Sequence, residues 1–385
     1  MLAVDILLVG ASVRAAAASA LRAGLRPWCL DPFADADLQQ IALSVRCPSS
    51  TYPRGLLPIF RDAPRAPWLY TGGLENHPNL IRRMAELRPL WGNDPGTLAA
   101  SRSPFGVAQL LREANLTCPE VRHTQPMWAQ GVHWLRKPLR SAAGRDISFA
   151  DELPATKKYA DRRFYFQRYI VGPSYSAVFV GDPEGAAYLL GVTRQLVGER
   201  PLNAKAFQYC GSIGPIELAG SSLATLQRIG EVLTTGCHLR GLFGIDFILN
   251  EDGPWLVEVN PRYTASVEVL EYATDTAFLS LHRNAFEPSS LVRSPRPFGR
   301  DYFGKAILYA RKRIVMLANA LAPQPPFDPE RPFLMPAAAD IPSIGEAIES
   351  GWPICTVFAR GSSIEECHQQ LLQHARGIYE QVLGD

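Results

Sequence analysis

Three separated patches hold residues whose types and spacing suit phosphate chemistry. The most specific runs from Gly241 to Leu249, turns through Asn250 to Gly253, and returns from Trp255 to Arg262. Side chains on a strand alternate faces, so Glu258 and Asn260 share one face while Val257 and Val259 take the other. A tight turn at Asp252-Gly253 lets the preceding strand pair antiparallel and brings Asp246 alongside them. Two carboxylates and an amide oxygen on one face repel without a cation, and such an oxygen set suits Mg2+ with phosphate completing its shell. Arg262 follows, where a guanidinium stabilises charge on a transferring phosphoryl group. The alternative is a solvated hairpin face; the apolar neighbours Ile245, Phe247, Leu256 and Val257 point to a buried one.

The second patch is the apolar segment His133 to Leu139 containing Lys137, followed by the small-residue loop Ser141, Ala142, Ala143, Gly144 and Arg145. An ammonium beside unhindered backbone N–H groups suits polyphosphate. Any strand can end in a lysine and a turn, but this chain has only six lysines among 39 basic side chains, which gives Lys137 weight. As a strand-end lysine facing phosphate, it is expected to have no structural partner. The third patch, Phe164 to Gly172 and then Tyr175 to Val180, reads either as a buried hairpin or as an extended edge offering backbone donors and acceptors to an adenine.

The elements that position these patches follow from the apolar pattern. Ile6 to Val9, a Gly10-Ala11-Ser12 turn, an alanine-rich helix from Arg14 to Arg22 and a strand from Trp28 to Leu30 make a βαβ opening. A dinucleotide fingerprint needs GxGxxG, and this turn has one glycine, so a scaffold role is expected. The opening lacks a basic leader and carries Asp5, which fits a first strand better than a signal peptide; a cytoplasmic protein is expected. The turn Trp91 to Gly96 and the Pro, Ser and Arg stretch from Glu287 to Pro297 mark boundaries. The tail carries its own pattern of strands (Lys305 to Leu308, Ile354 to Ala359) and helix (Ile364 to Val382), joined through the proline-rich Ala322 to Pro332.

At 385 residues the chain is long enough for two or three packed units around one site. Apolar residues make up 47%, and no run approaches the roughly 20 needed to cross a bilayer. Net charge is +2 with no block of one sign, which argues against a nucleic-acid partner. The seven cysteines never form a CxxC pair, so reduced packed thiols are expected rather than a zinc site or disulfides.

The three patches, in this order and spacing, resemble the ATP-grasp superfamily over roughly residues 1 to 290. That resemblance implies an α/β (α+β) fold with a Rossmann-like pre-grasp domain (1–95), a small subdomain with a lid loop (96–165), a larger subdomain holding Mg-ATP (166–290) and a small C-terminal accessory domain (291–385). It implies that Lys137 contacts the α and β phosphates, that Ser141 to Arg145 form the lid, and that Gln167, Arg168, Tyr169 and Ile170 form the hinge against adenine. Asp246, Glu258 and Asn260 would hold Mg2+, or Mn2+, with Arg262 by the γ-phosphate. Two departures stand out. The lysine usual at the helix after the first domain is replaced at Ser101-Arg102-Ser103, and the lid has one glycine, Gly144, where many members have several.

More narrowly, the segments Gly72 to His77, Gly191 to Gln195 and Pro353 to Ala359 are similar to ATP-dependent carboligases related to biotin carboxylase, found with genes for tetrahydromethanopterin and methanofuran-type one-carbon cofactors. The implied activity is a carboxylate–amine ligase acting through an acylphosphate, joining glutamate or a similar amine to a cofactor precursor. The alternatives are a bicarbonate-dependent carboxylase and an ATP-binding regulatory subunit without turnover. The absence of a GxSxG segment or an evident Cys/His pair agrees with chemistry that needs no protein nucleophile. Glu75, Asn76 and His77, in a glycine turn after a strand, and Arg194 are candidate substrate contacts; for Arg194 a surface ion pair is the equal alternative. Gly211 to Pro215 is a weaker candidate for the acceptor site. Expected partners are a small carboxylate and a small amine, with no nucleic acid and no membrane; a homodimer is compatible.

Overall fold

The structure is a computed structural model and describes residues 3–127, 130–152, 163–287, 295–317 and 327–383. Its first unit is a parallel sheet in the spatial order Leu43–Arg46, Pro27–Asp31, Ile6–Val9 and Trp68–Tyr70. Ile6 to Val9 are buried on both faces, as a parallel strand covered by helices requires. Gly10 sits at φ +145°, and a Cβ there would come within 2.3 Å of the Thr71 hydroxyl, so the turn demands glycine for close approach rather than for a dinucleotide. The helix Arg14–Arg22 buries Ala16, Ala17 and Ala20 against Leu8 and Cys29 on one side and Val267 and Leu270 on the other. Its small side chains let it lie close between the parallel sheet and the helices Ala265–Thr274 and Phe278–Phe286.

A small antiparallel sheet follows, in the order Val121–Arg122, Phe164–Arg168, Trp134–Pro138 and Ser148–Phe149. The pairing Trp134 to Arg168 corrects the expected boundary at residue 165, which would cut a hydrogen-bonded strand; the small sheet runs through Arg168.

The largest sheet has eight strands in the order Gly253–Asn260, Gly241–Asn250, Ser174–Gly181, Ala187–Val197, Tyr209–Gly214, Tyr302–Tyr309, Pro353–Gly361 and Ala338–Ala339. The helix Gly220–Cys237 packs Leu226, Ile229 and Leu233 against Phe179 and Phe243. The helices Ala265–Thr274 and Phe278–Phe286 pack with the alanine-rich first helix around Leu190 and Leu242. The described part of the tail adds three strands to the edge of the large sheet. Tyr302–Tyr309 pairs with Tyr209–Gly214 and so covers what would be an open sheet edge. The terminal helix Ile364–Leu383 then buries Leu371, Ala375 and Tyr379 over the extension. Parts of two sequence landmarks, 288–294 and 318–326, lie outside the described residues. All seven cysteines are free, and among the described residues no helix is long and apolar enough to cross a membrane.

Candidate functional site

A cavity of about 1580 Å3 opens where the three sheets converge. Asp246, Glu258, Asn260, Arg262, Lys137, Gln167 to Ile170 and the loop Ser141 to Arg145 all border it.

The hairpin of Gly241–Asn250 and Gly253–Asn260 sets the first pole. Its register places Asp246 opposite Glu258 and Gly244 opposite Asn260, so the three oxygen-bearing side chains meet on one face. Asn260 donates from Nδ2 to Asp246 Oδ2 at 2.9 Å, and Gln195 donates from Nε2 to Asp246 Oδ1 at 2.9 Å. These two amides hold the carboxylate in place without neutralising it. Burial, then the neighbouring charge of Glu258, raises Asp246 to about 7, nearly neutral-poised where a carboxylate is ordinarily ionised. The donor set is two carboxylates and an amide oxygen, and among the described residues no group of three His, Cys, Asp or Glu side chains converges as a metal-holding cluster.

Arg262 is half-buried and oriented from two sides. Its Nη2 donates to Asn260 Oδ1 at 3.1 Å and its Nε to Glu75 Oε1 at 2.8 Å. Lys137 differs from expectation. Its Nζ donates to Gln167 Oε1 at 3.1 Å and to the Val257 carbonyl at 3.3 Å, so the lysine does have structural partners. The pairing of Leu135 with Gln167 brings the two side chains together, which one strand's pattern alone does not reveal.

The loop after Lys137 is held at both ends. Asn76 Nδ2 donates to the Ser141 carbonyl at 3.1 Å, and the Tyr209 N–H donates to the Ala143 carbonyl at 3.4 Å. Gly144 lies at φ +71°, and a Cβ there would fall 1.8 Å from the Phe207 carbonyl. Glycine is therefore required at position 144, where the loop meets the opposite wall. At the end of the small sheet the Arg168 and Tyr169 N–H groups are bonded to the carbonyls of Glu120 and His133.

The turn after Trp68–Tyr70 corrects the substrate assignment. Thr71, Gly72 and Gly73 border the cavity, but Glu75, Asn76 and His77 do not. Glu75 is buried and holds Arg262, Asn76 ties the loop, and His77 is lowered from its ordinary value by burial and by the charge of Arg140. Arg194 does border the cavity and is exposed.

Two further contributors are Gln195, which is not among the candidate site residues, and Arg102, which the sequence offers as the alternative to a missing phosphate lysine. Gln195, which orients Asp246, gave no signal beyond its place in the Gly191 to Gln195 segment. Arg102 stands with Nη1 3.9 Å from both Glu75 and Glu258, and its Nη2 donates to Asn76 Oδ1 at 3.0 Å. A cation thus occupies the neighbourhood where a lysine seemed to be missing. From the Gly211 to Pro215 stretch, Ile213 borders the cavity.

Residues 105–266 match the ATP-grasp domain family. The chain is 28% identical over 245 residues to an uncharacterized protein of Methanocaldococcus jannaschii, a match covering 60% of this chain and 54% of the other, so it spans about half that relative's length. The structure is similar to biotin carboxylase from Campylobacter jejuni in a complex with β,γ-ATP, at a TM-score of 0.71 and 13% identity over 96% of this chain and 90% of that one. It is also similar to L-amino acid ligase from Bacillus licheniformis, at a TM-score of 0.65 and 14% identity over 97% of each chain. At such identities the shared property is the fold.

Proposed function

We propose that this chain, which carries an ATP-grasp domain, is an ATP-dependent carboxylate–amine ligase working through an acylphosphate. The observation that carries the reading is the Asp246–Glu258 pair beside a large cavity: two facing carboxylates, Asp246 held by the amides of Asn260 and Gln195 and Glu258 3.9 Å from Arg102. That donor set fits Mg2+ with phosphate oxygens, and the residues that would hold it are Asp246, Glu258 and Asn260. When bound, the metal supplies neutralisation of charge on the polyphosphate.

The chain's own side chains do the rest. Lys137, buried beside Gln167, presents its ammonium to the nucleotide phosphates, and the loop Ser141 to Arg145 covers them and excludes water. Arg262, fixed by Glu75 and Asn260, faces the oxygens of the phosphoryl group in transfer. A substrate carboxylate oxygen attacks the γ-phosphorus, giving acylphosphate and ADP. An amine nitrogen then attacks the acyl carbon, phosphate leaves, and the amine's proton is released. Arg194 is the cavity cation suited to holding the acid. The narrower motif resemblance supports a one-carbon-carrier cofactor precursor as the acid. Intact Asp246, Glu258, Asn260 and Arg262 around one cavity argue against a regulatory subunit without turnover.

The test is ADP release by the purified chain over a panel of carboxylates and amines with Mg2+. With the active acid, 18O in its carboxylate is expected in the released phosphate, and hydroxylamine is expected to trap a hydroxamate. Strict dependence on bicarbonate, with no label reaching phosphate, would replace this reading with the carboxylase.

A further inference from the structure

Single-ligand sites occupy roughly 300–1,000 Å3; the cavity here, at about 1580 Å3, has room for more than a nucleotide. Its far end is formed where the loop after Pro27–Asp31 meets Asp340 and Thr356 from the tail. Asp340 borders this end and Asp31 and Asp37 stand behind it, and each of these carboxylates is employed by the protein. Asp31 accepts the N–H groups of Val13, Phe33 and Ala34. Asp37 accepts those of Asp340 and Ile341. Asp340 takes the Arg14 guanidinium and the Thr356 hydroxyl.

Asp35 is the exception. It borders the cavity at 6% exposure, and its Oδ2 has no hydrogen-bond partner among the described residues. It stands at the N-cap of the helix Ala36–Ile41 yet caps nothing with its side chain. The nearby cations do not serve it: Arg14 is bound to Glu268 and Asp340, and Lys305 to Glu268. A buried carboxylate without a partner is costly, and such groups call for an explanation outside the packing.

We propose that Asp35 binds the protonated primary amine of the acceptor substrate, in a subsite at the acidic end of the cavity. This rests on the ligase reading and extends it to the amine's class. The acceptor is an amine with no carboxylate next to it, because Asp340, Asp37 and Asp31 surround the subsite and would repel one; glutamate suits this end poorly as the amine. Burial, followed by the charges of Asp340, Asp31 and Asp37, also pushes the Asp35 carboxyl well above the usual carboxylate range, a shift that an ammonium in contact would reverse.

The experiment is titration calorimetry of the full chain, preloaded with Mg2+ and a non-hydrolysable ATP analogue, with 1,4-diaminobutane, 1,4-butanediol and succinate as probes. The diamine is expected to bind, the diol and the dianion not to. Asp35→Asn is expected to weaken the diamine at least tenfold while leaving affinity for the ATP analogue unchanged. Its thermal midpoint is expected to match or exceed that of the unmodified chain, since an unpartnered buried acid is replaced by a neutral amide. No binding of the diamine, equal affinity in the variant, or a lowered midpoint that reveals a structural partner overturns the subsite. Failure of the ligase reading looks different: no carboxylate and amine pair releases ADP, while the diamine still binds through Asp35. ADP release with an unaltered amine KM in Asp35→Asn removes the subsite alone.

Discussion

Two acidic centres, one behind the cavity wall and one bordering the cavity, are built in opposite ways. Glu268 is wholly buried, yet Arg14 grips both its oxygens and Lys305 Nζ donates to it at 3.1 Å. Burial alone would raise its pKa, but the Arg14 and Lys305 charges overcome that and hold it at about 2. Asp246 has amides for neighbours and a second carboxylate opposite, and it rises to about 7. The first centre joins the opening helix, the helix Ala265–Thr274 and the strand Tyr302–Tyr309, so its charges are balanced within the chain. The second faces a cavity wall with one acid held by amides and the other 3.9 Å from Arg102, and a cation and a polyphosphate would complete it. Charge balance inside the protein therefore separates an acid neutralised within the fold from one left facing the cavity.

The sharpest way to break this comparison is Glu268→Gln. Lys305 would then lie buried without its counter-charge and Arg14 would keep only Asp340 and Asp37, and a loss of about 3–5 kcal/mol is expected for such a broken pair. Denaturant unfolding checks it; a change well below 1 kcal/mol would make Glu268 dispensable to the fold.

Asp246→Asn and Glu258→Gln are expected to do the reverse. Each removes a repelling charge, so stability holds or rises, while turnover falls by about 100-fold or more through the loss of several kcal/mol of phosphoryl-charge neutralisation. Near-normal ADP production by either variant removes the proposed metal site.

The two centres also predict opposite pH responses. With Glu268 lowered to about 2 when folded, against 4.5 for an ordinary glutamate, its contribution is present above about 4.5 and is lost as pH falls towards 2. With Asp246 raised to about 7, against 3.8, the folded chain holds a proton that the unfolded chain gives up, so its contribution declines as pH rises from about 4 to 7. Unfolding measured from pH 4 to 7 should show that decline in the metal-free chain, and both Asp246→Asn and added Mg2+ with nucleotide should flatten it. An unchanged slope in the variant would exclude Asp246 as its source.

Lys137→Ala tests both functions of one residue. Because Gln167 Oε1 loses a buried donor, about 1–3 kcal/mol of stability should go, together with at least tenfold in affinity for an ATP analogue. Unchanged affinity would leave the lysine a structural group alone. The smallest effect is expected at Arg194→Ala. This side chain is exposed at the cavity, so stability should stay within about 0.5 kcal/mol while KM for the carboxylate rises. An unaltered KM returns Arg194 to the surface.

Local pattern sufficed for the βαβ opening, the Asp246, Glu258 and Asn260 face and the lysine followed by a small-residue loop. Strand alternation and turn chemistry act over a few residues and are written in order along the chain. What they leave open is which distant segments meet. Nothing near Glu75 announces that it holds Arg262, nothing near Gln195 that it orients Asp246, and nothing in the tail that its strands extend the large sheet. The same holds for the cations at Glu268, which arrive from positions 14 and 305, and for the lack of one at Asp35. Whether a carboxylate is neutralised depends on burial and on charges within a few ångströms, both set by packing between units, so the tertiary structure alone decided which acids were already spoken for.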